Sequence, residues 1–103
     1  MENEVDSVEA TKTVVNCSPT IDINSATPLY QYLKQAIENN HAVEIDAGEV
    51  TKVDTAVMQV FFAFWLEAKT LELPVSWVNV SNAFRNTAEV LGLAEEMNLP
   101  NPG

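Results

Sequence analysis

Residues 45–58, IDAGEVTKVDTAVM, decide the reading of this chain. Ile45 closes a short apolar run that begins at Ala42, Gly48 and its polar neighbours interrupt it, and Asp54 and Thr55 stand just ahead of a long apolar stretch. A strand that reads as buried therefore ends in a polar loop, and the loop delivers one hydroxyl to the start of a helix. Such a start leaves about four backbone N–H groups unpaired and carries a dipole that favours negative charge. Thr55 is thereby placed for a phosphate or for the polar groups of a partner. The plain alternative is that Asp54 and Thr55 only cap the helix.

Outward from this junction the elements alternate. The helix runs over 54–71, and Pro74 ends whatever precedes it. Val75, Trp77 and Val80 supply a strand, Ser81 caps a further helix through Leu91, and Gly92 suits its left-handed end. A last short helical turn covers 94–99. Upstream, Thr27 reads as an N-cap and Pro28 as the first helical residue, with Leu29, Leu33, Ala36 and Ile37 at helical spacing until Asn39 and Asn40. Thr13–Cys17 reads as a strand and Thr20–Ile23 as its hairpin neighbour. Strands and helices in this order make an α/β domain, with a right-handed crossover over 42–80.

The composition bounds the function. With 103 residues, 47% of them hydrophobic, the chain holds one domain and one core. Residues 1–12 read as a disordered acidic tail, 13–99 as the folded domain and 100–103 as a frayed end. A formal charge of -10 argues against nucleic acid and anionic lipid as partners. One cysteine, Cys17, and one histidine, His41, supply neither an internal disulfide nor a metal-ligand set, so no cofactor or metal is expected. The acidic start resembles no secretory signal, and no apolar run approaches about 18 residues, so a cytoplasmic protein without membrane insertion is expected.

Read together, IDAGEVTKVDTAVMQVFF and PVSWVNVSNAFRNTAEVLGL resemble the STAS family, the domain of anti-sigma-factor antagonists and of sulfate-transporter tails. Its members show a strand ending Asp-Leu-Ser-Gly-Val and, three residues on, Asp-Ser-Ser-Gly-Leu at a helix start. A strand ending Asn-x-Ser and a helix closing on Gly-Leu follow. The matching positions here are Asp46, Val50, Asp54, Thr55, Ala56, Val57, Met58, Asn79, Ser81, Gly92 and Leu93. The resemblance implies a mixed β-sheet of four to five strands with three to four helices. It also implies a non-enzymatic signalling module that binds a regulatory protein, such as a serine kinase or anti-sigma factor.

Two positions depart from the pattern. Ala56 stands where sporulation-type antagonists carry the phosphorylated serine, and Val57 replaces a glycine. Thr55 alone keeps an oxygen and becomes the phosphorylation candidate. A single Thr after Asp is also found in STAS components of lipid-transport ATP-binding cassette systems and in STAS proteins encoded among chemotaxis genes. A subunit regulating a transporter ATPase is accordingly the alternative function.

At about 100° per residue, the apolar side chains of 57–71 fill an arc of roughly 240°, wider than one sheet can cover. The STAS register implies Met58, Phe61, Phe62 and Trp65 in the core, which leaves Val57, Val60 and Phe64 outward. With Asp54 and Thr55 these form the expected partner-binding surface. On that reading Phe64→Asp or Val60→Asp abolishes binding without unfolding, whereas Phe61→Asp unfolds the protein. The alternatives are that a neighbouring helix covers the stripe, or that a homodimer does.

The remaining candidates read more plainly. Trp65 and Trp77 read as core, and Arg85 reads as a solvated side chain, with contact to a phosphate or an acidic partner group as its alternative. Asp46 and Glu49 could form a carboxylate pair, but no His, Lys or Ser of the right kind lies near them in sequence, so acid–base catalysis is not expected. A nucleotide site in the 49–54 loop would need a phosphate cradle, and Gly48 stands without a GxxxxGK pattern.

Overall fold

The computed structural model describes residues 12–100. The tail lies outside the described residues except for Lys12, which opens the first strand, and so does the frayed end except for Pro100. In chain order the elements are β1 (Lys12–Asn16), β2 (Thr20–Ile21), a 3-10 turn (Ile23–Ser25) and α1 (Ala26–Glu38). Then come β3 (Ala42–Ala47), β4 (Lys52–Val53), α2 (Thr55–Thr70), β5 (Val75–Val80) and α3 (Asn82–Val90).

Among the described residues five strands make two sheets, β1-β3-β5 and β2-β4, and every pairing is parallel. The expected α/β class and strand count stand. The expected hairpin between β1 and β2 is absent: β2 pairs with β4, Thr20 opposite Lys52 and Ile21 opposite Val53. Pro19 between the two strands has no N–H to contribute to a ladder, and a parallel partner can be reached only through a crossover.

Local chemistry sets most element ends. Ser81 caps α3, its Oγ accepting the Phe84 N–H at 3.1 Å. Gly92 follows with φ +75, where a side chain would be strained. Helix α1 begins before the expected Thr27, with Ser25 at its N-cap, because the 3-10 turn feeds directly into it. Pro28 is tolerated in the first turn, where its missing N–H would have had no partner.

The core gathers Val43, Ile45 and Ala47 of β3, Leu33 and Ala36 of α1, and Phe84 and Ala88 of α3 around α2. From α2 itself it takes Val57, Met58, Phe61, Phe64 and Ala68. This corrects the expected outward face. Val57 is fully buried, Phe64 is 4% exposed, and Val60 is half-buried against the core. Phe62 and Trp65, expected inside, are also only half-buried.

The reason is that α2 is covered from two directions, by the sheet, where Phe61 and Trp65 meet Trp77 of β5, and by α1, whose Leu33 and Ile37 share a small crevice with Phe64. A helix packed on both sides carries an apolar arc wider than one contact stripe. Burying Phe64 contributes on the order of 2 kcal/mol to folding. Phe64→Asp is therefore an unfolding substitution and cannot serve as an interface probe.

Candidate functional site

The parallel strands β1, β3 and β5 end on one edge of the sheet, and the loop from β3 carries the chain to Thr55. Asp54 occupies the N-cap of α2 in an extended conformation, φ -68 and ψ 148. Its backbone is fully engaged: the N–H donates to the Ile21 carbonyl at 3.0 Å, and the carbonyl accepts from Met58 N–H at 3.0 Å. Its carboxylate accepts no helix N–H. Thr55 follows as the first helical residue, exposed, and its hydroxyl makes no hydrogen bond among the described residues. Unlike Ser81, neither Asp54 nor Thr55 accepts a helix N–H through its side chain, so the side-chain cap expected as the plain alternative is not formed.

Thr55 fixes the phase of the solvent-facing side of α2. Gln59, Phe62 and Leu66 follow it at i+4, i+7 and i+11, which is one stripe of a helix. Gln59 and Leu66 are exposed, Leu66 at 45%, and Phe62 is half-buried between them. The outward apolar residues are thus Phe62 and Leu66, on the side opposite the expected Val57 and Phe64. Counting from Thr55 would have found them.

The loop before Thr55 is tied down along its length. The Asp46 carboxylate accepts from Gly48 N–H at 3.0 Å and from Asn79 Nδ2 at 3.3 Å. Asp46 is thus engaged by its own loop and by Asn79, while Glu49, the other member of the carboxylate pair considered from the sequence, is exposed to solvent. The Pro19 carbonyl accepts from Thr51 N–H at 2.7 Å, Lys52 N–H at 3.1 Å and Thr51 Oγ1 at 3.1 Å. Burial and then the negative charge of Asp46 push the Cys17 thiol up from 9.0 to about 11. That thiol is a poor nucleophile near neutral pH.

Arg85 is not the solvated side chain expected of it. Its side chain is 16% exposed, it pairs with Glu89 at 2.9 Å, and its Nη1 donates to the carbonyls of Leu99 and Pro100 at 3.2 and 2.8 Å. Trp77 likewise donates to Met97 O at 2.8 Å. Both residues hold the C-terminal turn on the domain. A groove of about 580 Å³ beside Trp65, Lys69 and Glu95 and one of about 470 Å³ beside Val14, Cys17 and Leu29 do not include Thr55. No helix of the described residues is long and apolar enough to cross a membrane.

Residues 6–100 match the family model described as Mlab, STAS domain. No curated protein and no solved structure matches the chain significantly. The match takes in nearly the whole sequence, including the loop, the Thr55 helix start and the Ser81 cap. This chain belongs to the STAS family.

Proposed function

We propose that this chain is a non-enzymatic regulatory module that docks a protein partner through the start of α2, with Asp54 and Thr55 at the centre of the contact. The observation that carries the reading is the Thr55 hydroxyl, exposed and unbonded at a helix start and in line with the exposed Leu66. Phe62 and Leu66 take the place of Val57 and Phe64 as apolar contacts, and Val60 lies at the margin. A partner that covered Leu66 and the rest of Phe62 would gain about 25 cal/mol for each Å² of apolar surface removed from water.

The partner class is a regulatory protein of the serine-kinase or anti-sigma type, and Thr55 is its phosphorylation candidate. Phosphorylation would add about -1.5 to -2 charges beside Asp54. At roughly 6 Å and an effective dielectric near 20, each pair of unit charges repels by about 3 kcal/mol. The helix start returns only about 0.3 to 1 kcal/mol, so the modified surface would release its partner.

A second reading is favoured by one trait, the lone Thr55 with Ala56 at the usual acceptor position. That trait is shared with the STAS components of lipid-type transporters that the sequence resembles, and it fits a subunit regulating a transport ATPase. Affinity capture with the wild-type chain, Thr55→Glu and Leu66→Asp tests both readings. A serine kinase recovered only by the wild type supports the first, and a transport ATPase recovered that way supports the second. Equal recovery by all three would remove the partner from this helix face.

A further inference from the structure

We infer that Asp46 is a positioning residue, whose carboxylate ties the loop that leads to α2 to the end of β5 just ahead of α3, so that Thr55 is presented from a fixed platform. The inference rests on the reading of Thr55 as the docking point, and it assigns the part of the fold that holds that point still.

Asp46 sits at the irregularity between Ile45 and Asp46, where β3 shifts register against β5. Four groups from three segments converge there. The carboxylate takes Gly48 N–H at 3.0 Å and Asn79 Nδ2 at 3.3 Å. The Asp46 carbonyl takes Cys17 N–H at 3.0 Å, and the carbonyl of the adjacent Ala47 takes the N–H of Ser81, the α3 cap, at 3.1 Å. Gly48 closes the arrangement. A Cβ there would stand 2.9 Å from Asn79 Cβ and 3.2 Å from Asp46 Oδ1, so only glycine permits the approach.

From Gly48 the loop runs to the Pro19 and Ile21 carbonyls, where Lys52 and Asp54 are fastened, and then into Thr55. The β2-β4 pairing that carries this second fastening has two residues in each strand. A pairing that short does not hold a register unaided. The carboxylate supplies the other end of the tether, and a charged acceptor makes the stronger bond.

Amide hydrogen exchange on the isolated chain tests the inference. The amides of Lys52, Asp54 and Met58 are each hydrogen-bonded and report on the tether, while those inside β3 report on the core. Asp46→Ala is expected to speed exchange at the first three by about tenfold and leave β3 unchanged. Asp46→Asn keeps an oxygen for Gly48 N–H and is expected to recover most of the protection. Gly48→Ala, which leaves the carboxylate in place but drives Asn79 away, should loosen the same three amides.

Unchanged exchange at Asp54 and Met58 in Asp46→Ala overturns the inference, as does equal acceleration throughout the domain. If Asp46→Ala does not fold, Asn79→Ala removes one arm alone and is read at the same amides by the same criteria. No partner enters this experiment. A tether that passes it while Thr55→Glu captures normally means that the docking reading failed and the positioning did not.

Discussion

Trp77 and Trp65 lie on neighbouring elements with ring centroids 6.2 Å apart, yet among the described residues only one of the two indole N–H groups has a partner. Trp77 Nε1 donates to Met97 O at 2.8 Å, whereas Trp65 Nε1 is buried with no acceptor among the described residues. The same substitution therefore has different consequences at the two sites. Trp77→Phe strands the Met97 carbonyl and costs about 1 to 2 kcal/mol, while Trp65→Phe removes an unpaired donor and costs less. Urea denaturation of both variants checks the order, and a larger loss for Trp65→Phe would contradict it.

Phe64 and Leu66 differ in the opposite way to their sequence pattern. Phe64→Ala opens a cavity between α1 and α2 and is expected to cost about 3 to 5 kcal/mol. Leu66→Asp, on the exposed stripe, is expected to stay within about 0.5 kcal/mol of the wild type. Denaturation midpoints read both. A Leu66→Asp variant that unfolds would place that side chain in the core.

Cys17 ties stability to alkaline pH. Its folded-state thiol, raised from 9.0 to about 11, stays protonated where the unfolded chain has ionised. The stability it contributes is complete below about pH 9 and is lost as pH rises toward 11. Cys17→Ala should lack that decline. At pH 8 the folded thiol should also react with an alkylating reagent about a hundredfold more slowly than the unfolded one. Equal rates would show that burial does not protect it.

Gly92 isolates a backbone effect. Its φ is +75 and an added Cβ would meet no atom within 4 Å, so Gly92→Ala carries strain without a clash. The expected cost is about 1 kcal/mol, visible as a lower melting temperature. A loss well beyond that would point to a contact that the geometry does not contain.

These particulars show where sequence suffices. Helix α3 was legible because Ser81 and Gly92 punctuate it chemically, and both do in space what their residue types suggest. Strand β2 is read from the sequence but given the wrong partner, and β4 is not read at all, since two residues carry no periodicity and the pairing joins segments far apart in the chain. The junction at Thr55 was found from local residues alone. The facing of α2 was misread because its wide apolar arc is explained only by α1 lying across it; the polar Thr55 and Gln59 carry the phase, which the register taken from the family pattern overrode. Arg85 was misread for a related reason: its partners are carbonyls at Leu99 and Pro100, which leave no mark in composition.

Since β1, β3 and β5 all point the same way, no two of them can be closed by a tight turn. Each must wait for an intervening helix to be threaded and laid down, so assembly is dominated by encounters between remote stretches of chain and proceeds slowly for so small a protein. No fragment ending before Val80 contains the complete main sheet. The platform that presents Thr55 comes into being only once the chain has been made through Ser81.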